Sequence, residues 1–212
     1  ILFALIMVFF FLPEPPSSNH QNSSQPAKLP LGVYGMGFLT ILLMIVFYLI
    51  PTRIALFLQE TNIGDAGQSG ISIATMNLAA FIVGLAFGSI RKRLKSSTTI
   101  LALLFLGGGL IALNYVQSFS AVLASLFVAG LGIGTIMPTI FLTTANLVPD
   151  ELNGPALSIT NSSIYLGQFL SPLFFSLIGT LFNAHTIRLN FFSGGILTMI
   201  AAILYIFWSL TN

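Results

Sequence analysis

The chain has 212 residues, of which 56% are hydrophobic and 6% charged, with a formal net charge of +2. An ordinary soluble domain is about a quarter charged, so this apolar surface is incompatible with a water-soluble fold and a lipid bilayer is the solvent to reason with. No cysteine is present, which removes disulfides, thiol catalysis and cysteine-ligated metals from consideration.

The opening run "ILFALIMVFFFL", residues 1–12, would reach about 18 Å as a helix, short of the roughly 30 Å of a hydrocarbon core. It lacks the positive flank and small-residue cleavage site of a signal peptide. It reads as the end of a truncated transmembrane helix, so the chain is expected to be a fragment of a longer protein. Residues 13–30, "PEPPSSNHQNSSQPAKLP", have no apolar periodicity and read as a solvated linker. Six apolar segments follow, at about 31–58, 69–90, 98–116, 119–147, 155–182 and 189–210. Each is long enough to span as a helix, with tilt in some. An open sheet would leave backbone groups unpaired in lipid, and the alternation of a barrel strand is absent. The expected fold class is therefore an all-α membrane protein, with residues 31–212 forming a six-helix transmembrane bundle.

Most of the positive charge lies in one connector, "FGSIRKRLKSS", where Arg91, Lys92, Arg93 and Lys95 fall within five residues. If this connector is cytoplasmic, alternation of spans puts Lys28 on the same side and Arg53 and Arg188 opposite, five basic residues inside against two outside. That distribution obeys the positive-inside rule and places the linker and the C-terminus, after Trp208, in the cytoplasm. A charge cluster in a connector is not a nucleic-acid-binding face, so no nucleic-acid partner is expected.

Polar side chains within the spans are the candidates for function. In the fifth segment Ser158, Asn161, Tyr165, Gln168 and Pro172 recur at steps of three and four and share one helix face. Two readings stand for this stripe: the lining of a polar cavity, or hydrogen bonding between helices, the latter favoured for Asn161. In the second segment Gly70, Asn77 and Gly84 lie seven apart with Gly88 one turn later, a spacing that suits a packing seam with Asn77 near mid-depth. Asn77 as a donor to substrate is the alternative. The run "AGLGIGTIMP" combines Gly130 and Gly134 with Pro138, which reads as close packing plus a kink, with flexibility for gating as the sharper reading. Gly167 adds a small residue to the fifth segment.

Arg53 follows Pro51 in "YLIPTRIALFLQE" and either snorkels to the headgroups or faces a cavity, pairing with an anionic substrate or with Glu60. Asn114, Asn146 and Asn190 fall near helix ends, where capping or headgroup contact accounts for them. His20 and His185 have no clustered acids or second histidine at ligand spacing, so no metal site is expected. No phosphate-binding loop and no cofactor are expected either, and no nucleophile–base pair points to an enzyme. No Asp or Glu falls within the six segments; a carboxylate for proton coupling would lie elsewhere.

Taken together, the order and spacing of these segments resemble the C-terminal half of a major facilitator superfamily transporter. The stub is similar to the end of the family's sixth helix and the remainder to helices seven to twelve. The run "GSIRKRL" resembles a degenerate copy of the family's loop motif Gly-x-x-x-Asp-Arg-x-Gly-Arg-Arg; Gly88 and Arg93 match, and Lys92 stands where Asp is usual. "VPDELNGPALSITNSSIYLGQFLSP" is similar to the loop and helix between the family's helices ten and eleven, with Asn153 where Arg is common. The resemblance implies alternating access of a small-molecule solute between two six-helix halves, with the N-terminal half as the missing partner and a plasma-membrane location. Few charges and 20 Phe residues favour efflux of drug-like amphipathic solutes, with antiport of protons as a coupling. A sugar or small metabolite, with Gln168, Asn77 and Asn161 binding hydroxyls, is the runner-up. A non-transporting receptor or scaffold is the reading from another class.

Overall fold

The computed structural model describes residues 28–95, 97–181 and 186–211. The expected truncated helix, all but the last three residues of the expected linker, His20 and His185 lie outside the described residues. Among the described residues seven α-helices make six rods: α1 (Leu31–Phe47) and α2 (Leu49–Glu60) form the first, followed by α3 (Ala66–Leu94), α4 (Ser97–Ala112), α5 (Phe119–Ala145), a 3-10 turn (Asp150–Leu152), α6 (Asn153–Leu181) and α7 (Ile187–Thr211).

The first rod is interrupted at Tyr48, where the sequence gives no break in hydrophobicity. Pro51 supplies the reason. It has no N–H for the carbonyl of Phe47, four residues earlier, and its ring crowds that carbonyl. The Thr52 hydroxyl donates to the Tyr48 carbonyl at 2.8 Å and steadies the restart. At the start of α3 the chain closes a capping box: the Asp65 carboxylate accepts the Gln68 N–H at 2.8 Å, and the Gln68 side-chain oxygen accepts the Asp65 N–H at 3.0 Å.

Five rods are long and apolar enough to cross a membrane, and α4 is the short one. The segment expected to run from 98 to 116 ends its helix at Ala112, which leaves about 24 Å of axial length. The four residues beyond it are held by a different interaction. The Arg188 guanidinium donates to the carbonyls of Leu113 at 3.4 Å, Asn114 at 2.6 Å and Val116 at 2.9 Å. A planar fork fixed to three carbonyls satisfies backbone that the helix no longer pairs.

The rods pack as α5 along both α3 and α4, α1 along α6, and α4 along α7. Lipid tails are as apolar as these side chains, so close packing rather than exclusion of water holds such helices together. Gly130 and Gly134 let α5 lie directly on the α3 backbone: a Cβ at Gly130 would strike the Met76 carbonyl, and one at Gly134 the Ala80 carbonyl. Both glycines thus sit at the contact of α5 with α3. Gly167 does the same for α6 against Ile41 and Met44 of α1. The main core gathers Phe57, Phe175 and Phe191 with Leu106, Leu110 and Leu126, and Phe57 and Phe191 meet edge to face at 5.3 Å.

Candidate solute-facing surface

The buried side of α6 carries Thr160, Ser163, Gly167, Ser171 and Phe175. Two of these make the hydrogen bonds between helices. The Ser171 hydroxyl donates to the Ile45 carbonyl of α1 at 2.6 Å, and the Thr160 hydroxyl to that of Thr144 on α5 at 3.2 Å. The stripe singled out from the sequence lies on the other side. Ser158, Asn161, Tyr165 and Pro172 are exposed, Tyr165 by 70%, and Gln168 is half-buried. Ser158 uses its hydroxyl within its own helix, on the Gly154 carbonyl at 2.9 Å. Asn161 and Gln168 have no hydrogen-bond partner among the described residues. The favoured reading of Asn161 as a bridge between helices is thus corrected, because the bridging polar groups are one face away. Pro172 lacks the N–H that would bond the Gln168 carbonyl four residues earlier, so the helical ladder loses that bond at the same residue whose amide has no partner among the described residues.

On α3 the expected packing seam is not used by any helix among the described residues. No atom of a neighbouring helix stands within 4 Å of a Cβ built at Gly70, Gly84 or Gly88, and all three are exposed together with Asn77. The close approach of α3 to α5 uses Met76, Ala79 and Ala80 instead. With glycine on α5 as the small partner, α3 needs none at the contact. Asn77 has no hydrogen-bond partner among the described residues.

Between these two faces lies a small apolar patch. Met44 of α1, Ile133 of α5 and Ile164 of α6 are buried in it, with Leu43, Phe47, Ala80, Met137 and Phe141 half-buried around them. Asn77 is one helical turn from Ala80, and Asn161 and Gln168 are each one turn from Ile164, about 5 Å of rise. Alternating spans run α3 and α6 in opposite directions, which puts Asn77 and Gln168 on the same side of the patch and Asn161 on the other. Pro138 follows Met137 inside α5 and removes the bond to the Gly134 carbonyl.

Arg53 is half-buried on α2 and has neither an ion pair nor a hydrogen bond among the described residues. Its expected pairing with Glu60 is corrected: the Glu60 carboxylate accepts the N–H of Ile187, at 3.1 and 3.3 Å, and so caps α7. Asn190 is also not the surface cap it resembled. It is buried one turn into α7, with its Oδ1 unpaired. At the far end of α3, Arg91 stacks over the Phe87 ring at 5.9 Å, while Lys92, Arg93 and Lys95 are exposed. Among the described residues no three His, Cys, Asp or Glu side chains gather as a metal site would require.

These features define an integral membrane protein of multiple apolar helices with polar groups on two outward faces. The Major Facilitator Superfamily model matches residues 1–172 and again 36–212. The chain belongs to the Major Facilitator Superfamily. Among solved structures, it is similar in fold to a peptide transporter POT, an E310Q mutant in complex with alafosfalin, with a TM-score of 0.66 and 20% sequence identity. That likeness covers 84% of this chain and 38% of that one, so the chain spans well under half of the transporter's length. No curated protein matches the sequence.

Proposed function

We propose that residues 31–212 form one six-helix half of a secondary carrier that moves a small organic solute across the membrane by alternating access. The observation that carries this reading is the placement of three unpartnered amides, Asn77, Asn161 and Gln168, around the patch where α1, α3, α5 and α6 meet. An amide turned to hydrocarbon without a partner costs several kcal/mol. A water-filled cavity, or the opposing half of the protein, gives these faces a polar environment, and a solute crossing that cavity meets amides set in an apolar and aromatic wall.

This wall, with Phe47, Phe141 and Met137 and no carboxylate, suits an amphipathic solute of low charge, and efflux of drug-like compounds is the reading we favour. The same three amides favour a second reading, a sugar or small metabolite held through its hydroxyls. A peptide transporter among the fold's neighbours is in keeping with an organic solute. Proton coupling in this reading draws on a carboxylate outside these spans, since Glu60 is committed to α7. The cluster at 91–95 faces the cytoplasm in this reading, with residues 13–30 as a cytoplasmic linker, the C-terminus on the same side, and the plasma membrane as the location. The protein acts as a carrier rather than an enzyme.

Gln168→Leu in the full-length protein is the test. Transport lost or retuned, with membrane expression unchanged, is the expected result; unaltered uptake and efflux kinetics would remove Gln168 from the solute path.

A further inference from the structure

A second polar site lies at the opposite end of α3 from its capping box, away from the amide-bearing faces. A cavity of about 380 Å³ is lined by Arg91, Lys95, Thr99, Thr139, Thr143 and Tyr205. These residues come from α3 and the turn after it, from the first turn of α4, from the later part of α5 and from α7. Four chain segments thus bring two cations, three hydroxyls and a phenol to one cavity without a single carboxylate.

No acidic side chain among the described residues balances the cations. Arg91 and Lys95 stand four residues apart, where like charges on a helix repel, and neither has an ion pair among the described residues. Asp150 and Glu151 lie in the turn after α5 but do not line the cavity, and Asp150 accepts from the Asn153 amide. The hydroxyls of Thr99 and Thr143 have no partner among the described residues, whereas Thr139 donates to the Thr135 carbonyl at 2.8 Å. Thr99 sits in the first turn of α4, where helix N–H groups and the helix dipole favour an anion. Lys95 holds a φ of 47°, a backbone region natural to glycine, and so a charged side chain occupies a position that backbone geometry alone would give to another residue.

We propose that this cavity binds the phosphate of an anionic membrane lipid headgroup, with Arg91 and Lys95 as its cationic clamp and Thr99 and Thr143 as hydroxyl donors. A free phosphate compound shares that chemistry. The lipid is favoured because α7 leads away from Tyr205 with an outward apolar face, Ile200, Ile203 and Leu204, the last 64% exposed. Acyl chains can lie along that face while the headgroup enters the cavity. Basic pockets between transmembrane helices at the bilayer surface hold anionic headgroups by this arrangement. The site rests on the membrane fold and is independent of the transport reading.

The experiment is native mass spectrometry of the full-length protein released from mixed phosphatidylcholine and phosphatidylglycerol, counting retained lipid of each kind. Phosphatidylglycerol is expected to be retained preferentially, and Arg91→Gln with Lys95→Gly to weaken that preference about tenfold. The glycine relieves the backbone at 95, so loss of retention is not loss of fold. Thr99→Val with Thr143→Val keeps side-chain shape and charge and is expected to weaken retention by about threefold. Lys92→Gln with Arg93→Gln removes the same charge outside the cavity and is expected to leave retention unchanged. Equal retention of the two lipids, or equal loss in the two charge variants, would overturn the site. Displacement of the lipid by millimolar inorganic phosphate would overturn the lipid assignment and give the cavity to a soluble phosphate.

Discussion

The carboxylate of Glu60 accepts the backbone N–H of Ile187 at 3.1 and 3.3 Å, across 127 residues of sequence. The last residue of α2 thereby caps the first residue of α7, with its negative charge at the positive end of the helix dipole. Glu60→Ala should destabilise the protein by about 1 kcal/mol, as loss of an N-cap does, and Glu60→Gln by less because an acceptor remains. Thermal unfolding in detergent measures both; an unchanged midpoint for the alanine variant would show the cap to be inert.

Arg188, the next residue, ties the same end of the bundle to the chain after α4. Its guanidinium lies over the Phe57 ring at 5.4 Å while donating to three carbonyls. Lysine keeps the charge but cannot reproduce the planar fork. Arg188→Lys should therefore cost about 2 kcal/mol of stability, in the range of hydrogen bonds to charged groups. Stability equal to wild type would mean the charge alone suffices.

The glycines separate into two kinds, and alanine substitution distinguishes them. Gly130→Ala drives a methyl into the Met76 carbonyl of α3 and should destabilise by about 1 to 3 kcal/mol. Gly84→Ala meets nothing within this bundle and should be neutral or favourable by up to about 1 kcal/mol from helix propensity. Differential scanning fluorimetry on the two variants reads the contrast. Equal destabilisation would place Gly84 at a tight contact after all.

The rods were legible from hydrophobicity alone, because a bilayer demands long apolar helices and tolerates few other elements. Gly130 and Gly134 were readable as a packing pair, since the spacing of small residues carries that meaning locally. At Gly70, Gly84 and Gly88 the same spacing marks a face that no helix of this bundle covers, because periodicity reports which residues share a face and not what covers it. The break at Tyr48 went unread within the single segment 31–58, although Pro51 carries the physical signal for it. Glu60 with Ile187, Arg188 with Asn114, and Ser171 with Ile45 were invisible to sequence reasoning, each joining residues from 74 to 127 positions apart. The residues of the α6 stripe share a face as their spacing requires, but the hydrogen bonds between helices come from the adjacent face, where Thr160 and Ser171 do the bonding.

That division of labour on α6 predicts opposite outcomes for two substitutions. Ser171→Ala removes the bond to the Ile45 carbonyl and should lower stability by about 0.6 to 2 kcal/mol, as for other hydrogen bonds between membrane helices. Asn161→Leu removes no bond to this bundle and should leave thermal stability intact while altering transport. A stability loss at Asn161 matching that at Ser171 would return it to a packing role.

The central claim is that the amide-bearing faces of α3 and α6 open onto water within the membrane. These 212 residues contain no cysteine, so in a full-length protein with any cysteines elsewhere replaced, single substitutions Asn77→Cys, Asn161→Cys and Gln168→Cys can be labelled one at a time, with Leu204→Cys on the outward face of α7 as the lipid-facing control. Labelling by a membrane-impermeant maleimide at the three amide positions, slowed by a transported solute and absent at position 204, is the predicted result. Protection of all three amide positions to the level of Leu204→Cys would contradict the account.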